Sequence, residues 1–207
     1  LQYLRYRDDL PHYGRLADDT GGPVLELGAG TGRVAEALAG RGHQVVGLEI
    51  SPAMLGAGEA RLAEAGLGHL VELRQGDMRD FELHRRFPLV VAAFNTLMHL
   101  YTTTDQDRAL ARVREHLQPG GLFAFDLYLP DFGPMGVLRR EGVWEHVGGE
   151  EGELFLLQEH DTLGQLIVSR YYLDTVREDG TLERRMATLR QRYYHRYELE
   201  RALSSAG

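Results

Sequence analysis

The chain has 207 residues, 43% of them apolar, and a formal charge of −8, which suits one core with insertions and argues against a broad phosphate-binding surface. All 23 basic residues are arginine and cysteine is absent. A lysine Schiff base, a Walker-type phosphate lysine, a thiolate zinc site, a disulfide framework and a cysteine nucleophile are therefore excluded.

The first residues, LQYLRYRDDLPHY, are charged throughout and lack the apolar centre of a signal peptide. No stretch of about 18 apolar residues follows, so no membrane span is expected. With no cysteine to oxidise, a cytoplasmic setting is expected. The chain does not begin with Met, so its true start is expected upstream. From residue 23 to about 128, strand and helix patterns alternate. PVLELG reads as strand one, and GRVAEALAGRG as a helix with Val34 and Leu38 on one face. HQVVGLEI is strand two. SPAMLGAGEARLAEAG opens with Ser51 as N-cap and Pro52 at the first helical position. LVELRQGD is strand three, and PLVVAAFN has the continuous apolar run of a strand covered on both faces. TDQDRALARVREHL places Leu110, Val113 and Leu117 on one helical stripe; QPGG ends it, and LFAFDLYL is strand five.

After Pro130 the texture becomes β-branched and aromatic, with turn signals at Leu163-Gly164 and Asp179-Gly180. The expected organisation is an α/β, doubly wound, mainly parallel, Rossmann-like core over 1–130. An antiparallel β insertion follows over 131–194, its three or four strands within about 143–194, and a final core helix over 195–207. Ligands of such sheets bind outside the carboxyl ends of the strands, at the switch point.

The residues at those ends are specific. Strand one runs into Gly28, Gly30 and Gly32, spaced G-x-G-x-G rather than the G-x-G-x-x-G of dinucleotide turns, with Glu26 just before them. A carboxylate there repels pyrophosphate and attracts an ammonium or sulfonium, and glycines let backbone approach a ligand closely. S-adenosylmethionine has such a cationic end, plus a ribose and an adenine. Glu49 ends strand two, where an acid can accept ribose hydroxyls. Asp77, after strand three, is placed to accept from an adenine amino group, with Met78 packing the ring.

On these stretches the chain resembles the class I S-adenosylmethionine-dependent methyltransferases. VLELGAGTGRVAEALAGRGHQVVGLEISPAML is similar to their first motif and acidic second strand, and VELRQGDMRDF to their second cofactor motif. LVVAAFNTLMHL and VREHLQPGGLFAFDLYLPD resemble their fourth and fifth strands. The insertion resembles that of small-molecule members, including aminosugar N-methyltransferases. The resemblance implies that Gly28, Gly30 and Gly32 line the methionine part with Glu26 near its amino group. It places Glu49 on the ribose, Ile50 and Met54 against the adenosine, and Asp77 and Met78 at the adenine. Asn95 would stand beside the methionine moiety or the reacting centre. YRDDLPHY resembles a segment folding over the cofactor, which makes Tyr6 and Tyr13 candidates for a lid or, alternatively, for the packing of a first helix.

Two departures stand out. NTLMHL replaces the Asn/Asp-Pro-Pro-aromatic signature of adenine and glutamine N-methyltransferases, so DNA-base methylation is not assigned. The sequence stops at LSSAG, before the final strand pair usual in the class I family, so the expectation is either a clipped or disordered end or a sheet without its usual edge. His99 is the best-placed base, its ordinary pKa suiting proton transfer near neutral pH. The other histidines show no paired ligand spacing, so no metal is inferred. Tyr171, Tyr172, Arg192, Tyr193 and Tyr194 are candidates to cover the acceptor or to form a homodimer face. The expected activity is methyl transfer to N or O of a small-molecule acceptor. An RNA methyltransferase, a nicotinamide-dependent oxidoreductase and a non-catalytic cofactor-binding module are the alternatives.

Overall fold

The computed structural model describes residues 6–130, 143–146 as backbone, and 152–207. The described residues fall into two compact units, Arg7–Leu127 with His195–Gly207, and Tyr6 with the described residues of Tyr128–Tyr194.

The first unit is built on five parallel strands in the order β3-β2-β1-β4-β5. They are β1 (Val24–Leu27), β2 (Val45–Glu49), β3 (Val71–Gln75), β4 (Phe87–Ala92) and β5 (Leu117–Phe125). Every residue of β1 and β2 is buried, as the apolar runs require of strands covered on both faces. The helices are α1 (Leu10–Thr20), α2 (Arg33–Ala39), α3 (Pro52–Glu64), α4 (Thr103–His116) and α5 (Arg196–Ala206). One core layer joins Tyr13 and Ala17 of α1 and Val34 and Leu38 of α2 to Val24, Val45, Leu89 and Val91 of the sheet. The order of strands reverses between β1 and β4, so the switch point lies there, as the sequence predicts. Among the described residues no helix is long and apolar enough to cross a membrane.

Local signals explain most boundaries. Ser51 caps α3, its hydroxyl accepting from Met54 N–H, and Pro52 takes the first turn. Elsewhere the structure corrects the sequence. The α4 stripe ends in His116, 2% exposed, and not in Leu117, which already belongs to β5. His116 Nε2 accepts the Leu83 N–H at 3.0 Å while Nδ1 lies 2.7 Å from the Arg112 carbonyl, so the ring is a structural pin. β5 stops at Phe125, earlier than expected, because Asp126 leaves the ladder to serve other amides. Leu122 on β5 is 45% exposed, and the sheet has no strand beyond β5 among the described residues.

The second unit is an antiparallel sheet in the order β6-β7-β8-β9: β6 (Val143–His146), β7 (Glu153–Asp161), β8 (Leu166–Val176) and β9 (Leu182–Arg192). Both turn signals are realised. Asp161 Oδ1 accepts the Leu163 and Gly164 amides, and Asp179 accepts that of Thr181 beside left-handed Gly180. Leu154, Leu156, Ile167 and Ser169 form its buried face. The expected insertion also covers residues 131–142 and 147–151, which lie outside the described residues.

Two glycines of α3 give opposite expectations. A Cβ on Gly58 would come within 2.9 Å of Leu73 Cδ1 and 3.3 Å of Thr31 C, whereas one on Gly56 meets nothing within 4 Å. Gly58→Val is expected to destabilise by about 2–3 kcal/mol through overpacking. Gly56→Ala is expected to stabilise by about 0.5–1 kcal/mol through helix propensity. Urea midpoints check both; equal effects would mean that α3 does not press on the glycine turn.

Candidate functional site

Beyond β1 the chain turns through Gly28, Gly30 and Gly32, with φ of 64°, 58° and 75°. Only glycine adopts such left-handed backbone freely. Their surroundings differ. A Cβ on Gly28 would lie 2.7 Å from Thr96 Cγ2, in the loop after β4, and one on Gly32 would face Gly58 and Leu62 of α3 at 3.7 Å. At Gly30 the nearest atom is the Met54 methyl, at 3.3 Å. At Gly28 a side chain would thus collide with Thr96, whereas at Gly30 only the end of a flexible methionine stands close and at Gly32 the contact is an ordinary one.

Glu49, 7% exposed, ties this turn to the next helix. Its Oε2 accepts the Gly30 N–H and its Oε1 the Ser51 N–H, both at 2.9 Å. Each oxygen keeps a further lone pair, so a diol can still be accepted. Ile50 and Met54 follow as exposed apolar residues, 61% and 43%.

Glu26 is 3% exposed and lies in register with Gly47 of β2. The Ala35 amide of α2 hydrogen-bonds its carboxyl group, while its Oε2 is buried with no hydrogen-bond partner. Burial raises its pKa to about 8; Arg33 and the Ala35 amide oppose the rise, and the Asp9 and Glu49 charges add to it. Near pH 7 the group holds its proton for most of the time. The sequence suggests a fixed negative charge; burial favours the protonated acid instead, and a cation arriving beside Glu26 would favour the carboxylate that it then pairs with.

Sequence reasoning missed Arg33, directly after the turn. It forms a two-pronged pair with Asp9, at 2.6 and 2.7 Å, and lies over the Phe94 ring at 5.3 Å. Asp9 is the N-cap of α1.

The loop after β4 holds two consecutive non-glycine residues in the left-handed region, Phe94 (φ 57°) and Asn95 (φ 64°). Such backbone costs about 1–2 kcal/mol per residue. Asp126, just past β5 and also missed, accepts the Phe94 N–H at 2.6 Å and the Asn95 N–H at 3.1 Å. The single 3₁₀ turn Thr96–His99 follows, burying Leu97 and Met98 and leaving His99 exposed. The His99 ring is open to solvent yet crowded by protein. Desolvation lowers its pKa, and the nearby Glu49 carboxylate opposes that. His99 is therefore close enough to feel Glu49.

Tyr13 is 1% exposed and its hydroxyl donates to Asp126 Oδ1 at 2.5 Å. Burial and then this bond push its pKa upward. Tyr13 is thus part of the core on α1 and not a lid. Tyr6, 40% exposed, belongs to the other unit.

Asp77 is held by its own loop. Arg79 takes both its oxygens, Nε at 2.9 and 3.0 Å and Nη2 at 2.6 Å, and the Arg79 amide adds a bond at 2.9 Å. These bonds lower the pKa of Asp77. Arg79 Nη1 reaches Asp105 at the start of α4 at 3.0 Å. This pairing fixes the loop that carries half-buried Met78, and Asp77 keeps a partly exposed side chain there. The spacing of Asp77 and Arg79, two residues apart in GDMRDF, is the signal that could have shown this.

Comparison with known proteins gives the family. A family model described as a methyltransferase domain matches residues 24–121. The dTDP-3-amino-3,4,6-trideoxy-alpha-D-glucopyranose N,N-dimethyltransferase of Streptomyces venezuelae is 35% identical over 120 residues, which are 58% of this chain and 48% of that protein. The chain spans about half the length of the curated relatives it matches. The structure of the CcbJ methyltransferase from Streptomyces caelestis is 30% identical, with a TM-score of 0.85 over 99% of this chain and 83% of that one. The glycopeptide N-methyltransferase MtfA complexed with S-adenosyl-L-homocysteine is 29% identical, with a TM-score of 0.66 over 96% of this chain and 76% of its own. With its glycine turn, its acid-ended second strand and its parallel sheet, the chain belongs to the class I S-adenosylmethionine-dependent methyltransferase family.

Proposed function

We propose that the chain binds S-adenosylmethionine across the ends of β1 and β2 and transfers its methyl group to the amine nitrogen of a small molecule, an amino sugar by class. The observation that carries this reading is Glu26 Oε2, buried without a partner at the foot of a left-handed glycine turn. A buried acid in that state fits an ammonium group and opposes a pyrophosphate. In this reading Glu26 receives the amino group and Glu49 the ribose hydroxyls. Ile50, Met54 and Met78 cover the base, and Asn95 stands near the methionine portion. Nitrogen as the acceptor atom is supported by the names of the relatives, which include aminosugar N,N-dimethyltransferases and a glycopeptide N-methyltransferase.

S-adenosylmethionine, when bound, supplies a methyl group already activated on a sulfonium. What remains for the protein is alignment, which can contribute roughly 7–11 kcal/mol, and the handling of one proton. An amine attacks only when neutral. His99, its pKa held down by desolvation, is neutral near pH 7 and can take the proton that the amine sheds.

Titration calorimetry tests the reading: S-adenosylhomocysteine should bind and NAD should not, and the reverse result would falsify it. Turnover of labelled donor on amino-sugar nucleotides, hydroxylated sugars and structured RNA then identifies the acceptor class; transfer to hydroxyl or RNA alone would refute the amine. Glu49→Ala should weaken S-adenosylhomocysteine binding by at least about tenfold; an unchanged dissociation constant removes Glu49 from the site. His99→Ala should leave that binding intact and lower turnover by about 10²–10⁴-fold; equal loss of both would mean a structural role.

Glu26 gives a pH test. Its folded pKa, about 8, lies above its unfolded value. Its stabilising contribution is therefore present in full below the unfolded pKa and is lost as pH rises toward 8. Glu26→Gln should gain on the wild type between pH 5.5 and 8.5 by on the order of 3 kcal/mol. Urea midpoints at the two values measure this; a constant difference would mean that Glu26 is ionised in the fold.

A further inference from the structure

The turn after β4 is the least expected backbone in the first unit. Asparagine tolerates the left-handed region; phenylalanine rarely does. Strain of this kind persists where the surroundings enforce it, and here one carboxylate does so. Asp126 Oδ1 accepts the Phe94 N–H at 2.6 Å and the Tyr13 hydroxyl at 2.5 Å, while Oδ2 accepts the Asn95 N–H at 3.1 Å. Three elements far apart in sequence, α1, the β4 loop and the end of β5, meet on this group. The turn then continues into the 3₁₀ segment through the Met98 N–H, which donates to the Asn95 carbonyl at 2.9 Å. The Thr96 hydroxyl donates to the Ala93 carbonyl at 2.7 Å. Thr96 in turn fills the space beside Gly28. Asn95 and His99 both stand on backbone whose course Asp126 fixes.

We propose that Asp126 is the positioning residue of this site: its carboxylate holds the Phe94–Asn95 turn in the left-handed form and so sets where Asn95 and His99 stand, with Tyr13 orienting the carboxylate. The link to catalysis rests on the methyl-donor reading above; the hold on two amides does not. An amide side chain at position 126 cannot replace the carboxylate, because its NH₂ would face a backbone N–H where an acceptor is needed.

The test compares the full chain, ¹⁵N-labelled, as wild type, Asp126→Asn, Phe94→Gly and the double variant. Exchange of the Phe94 and Asn95 amides and calorimetric binding of S-adenosylhomocysteine are measured for each. In Asp126→Asn both amides should exchange at least about tenfold faster and binding should weaken about tenfold. Glycine at position 94 adopts the left-handed turn unaided, so Asp126→Asn added to Phe94→Gly should weaken binding less than about threefold. The same factor in both backgrounds, or unchanged exchange in Asp126→Asn, would overturn the proposal. Absence of binding by the wild type would overturn the methyl-donor reading alone, and the exchange rates would still decide the role of Asp126. If Asp126→Asn does not fold, Tyr13→Phe removes only the orienting hydroxyl. Faster exchange at both amides is expected there, and no change in either would overturn the proposal.

Discussion

A parallel sheet brings its strand ends to one edge, where the chain must turn and leave backbone amides without partners; here carboxylates supply the missing acceptors. Glu49 accepts from Gly30 and Ser51, Asp126 from Phe94 and Asn95, Asp77 from Arg79, and Glu26 is bonded by the Ala35 amide. An unmade bond of this kind in a buried loop costs about 1–3 kcal/mol, so these acids are structural before they are anything else. Their gathering at one edge follows from topology, and the negative character of that edge follows from their gathering.

The charge is not uniform. Glu49 and Asp126 are satisfied by fixed donors, and Asp77 is paired with Arg79. Glu26 differs because its α2-side amide satisfies one part of the group and leaves Oε2 buried and bare. Arg33 does not neutralise it outright, since its guanidinium is committed to Asp9. The result is an acid that keeps its proton until a cation makes ionisation favourable. In the proposed function, selectivity for a cationic ligand end would come from this switchable group and not from a standing field.

Much of this was legible in the sequence because it is written locally. The glycine turn, Glu49 at the end of an apolar run, the Ser51-Pro52 helix start and the Asp179-Gly180 hairpin each depend on neighbours a few residues away. What escaped depends on distance in the chain. Tyr13 and Asp126 are 113 positions apart, and no local pattern announces that a tyrosine of the first helix reaches the residue just past the last core strand. The left-handed Phe94 runs against the preference of its own residue type and is enforced from outside. The Glu26 proton escaped for a third reason: ionisation depends on burial, and the sequence shows only that a Glu is present.

In the proposed function Glu26 gives up a proton to pair with the ligand's ammonium. Calorimetry of S-adenosylhomocysteine binding at pH 7, in buffers of different ionisation enthalpy, counts the protons exchanged. With a folded pKa of about 8, release approaching one proton per site is expected. Tight binding with no release would show that Glu26 is already charged or is not the ammonium's partner, and would contradict it.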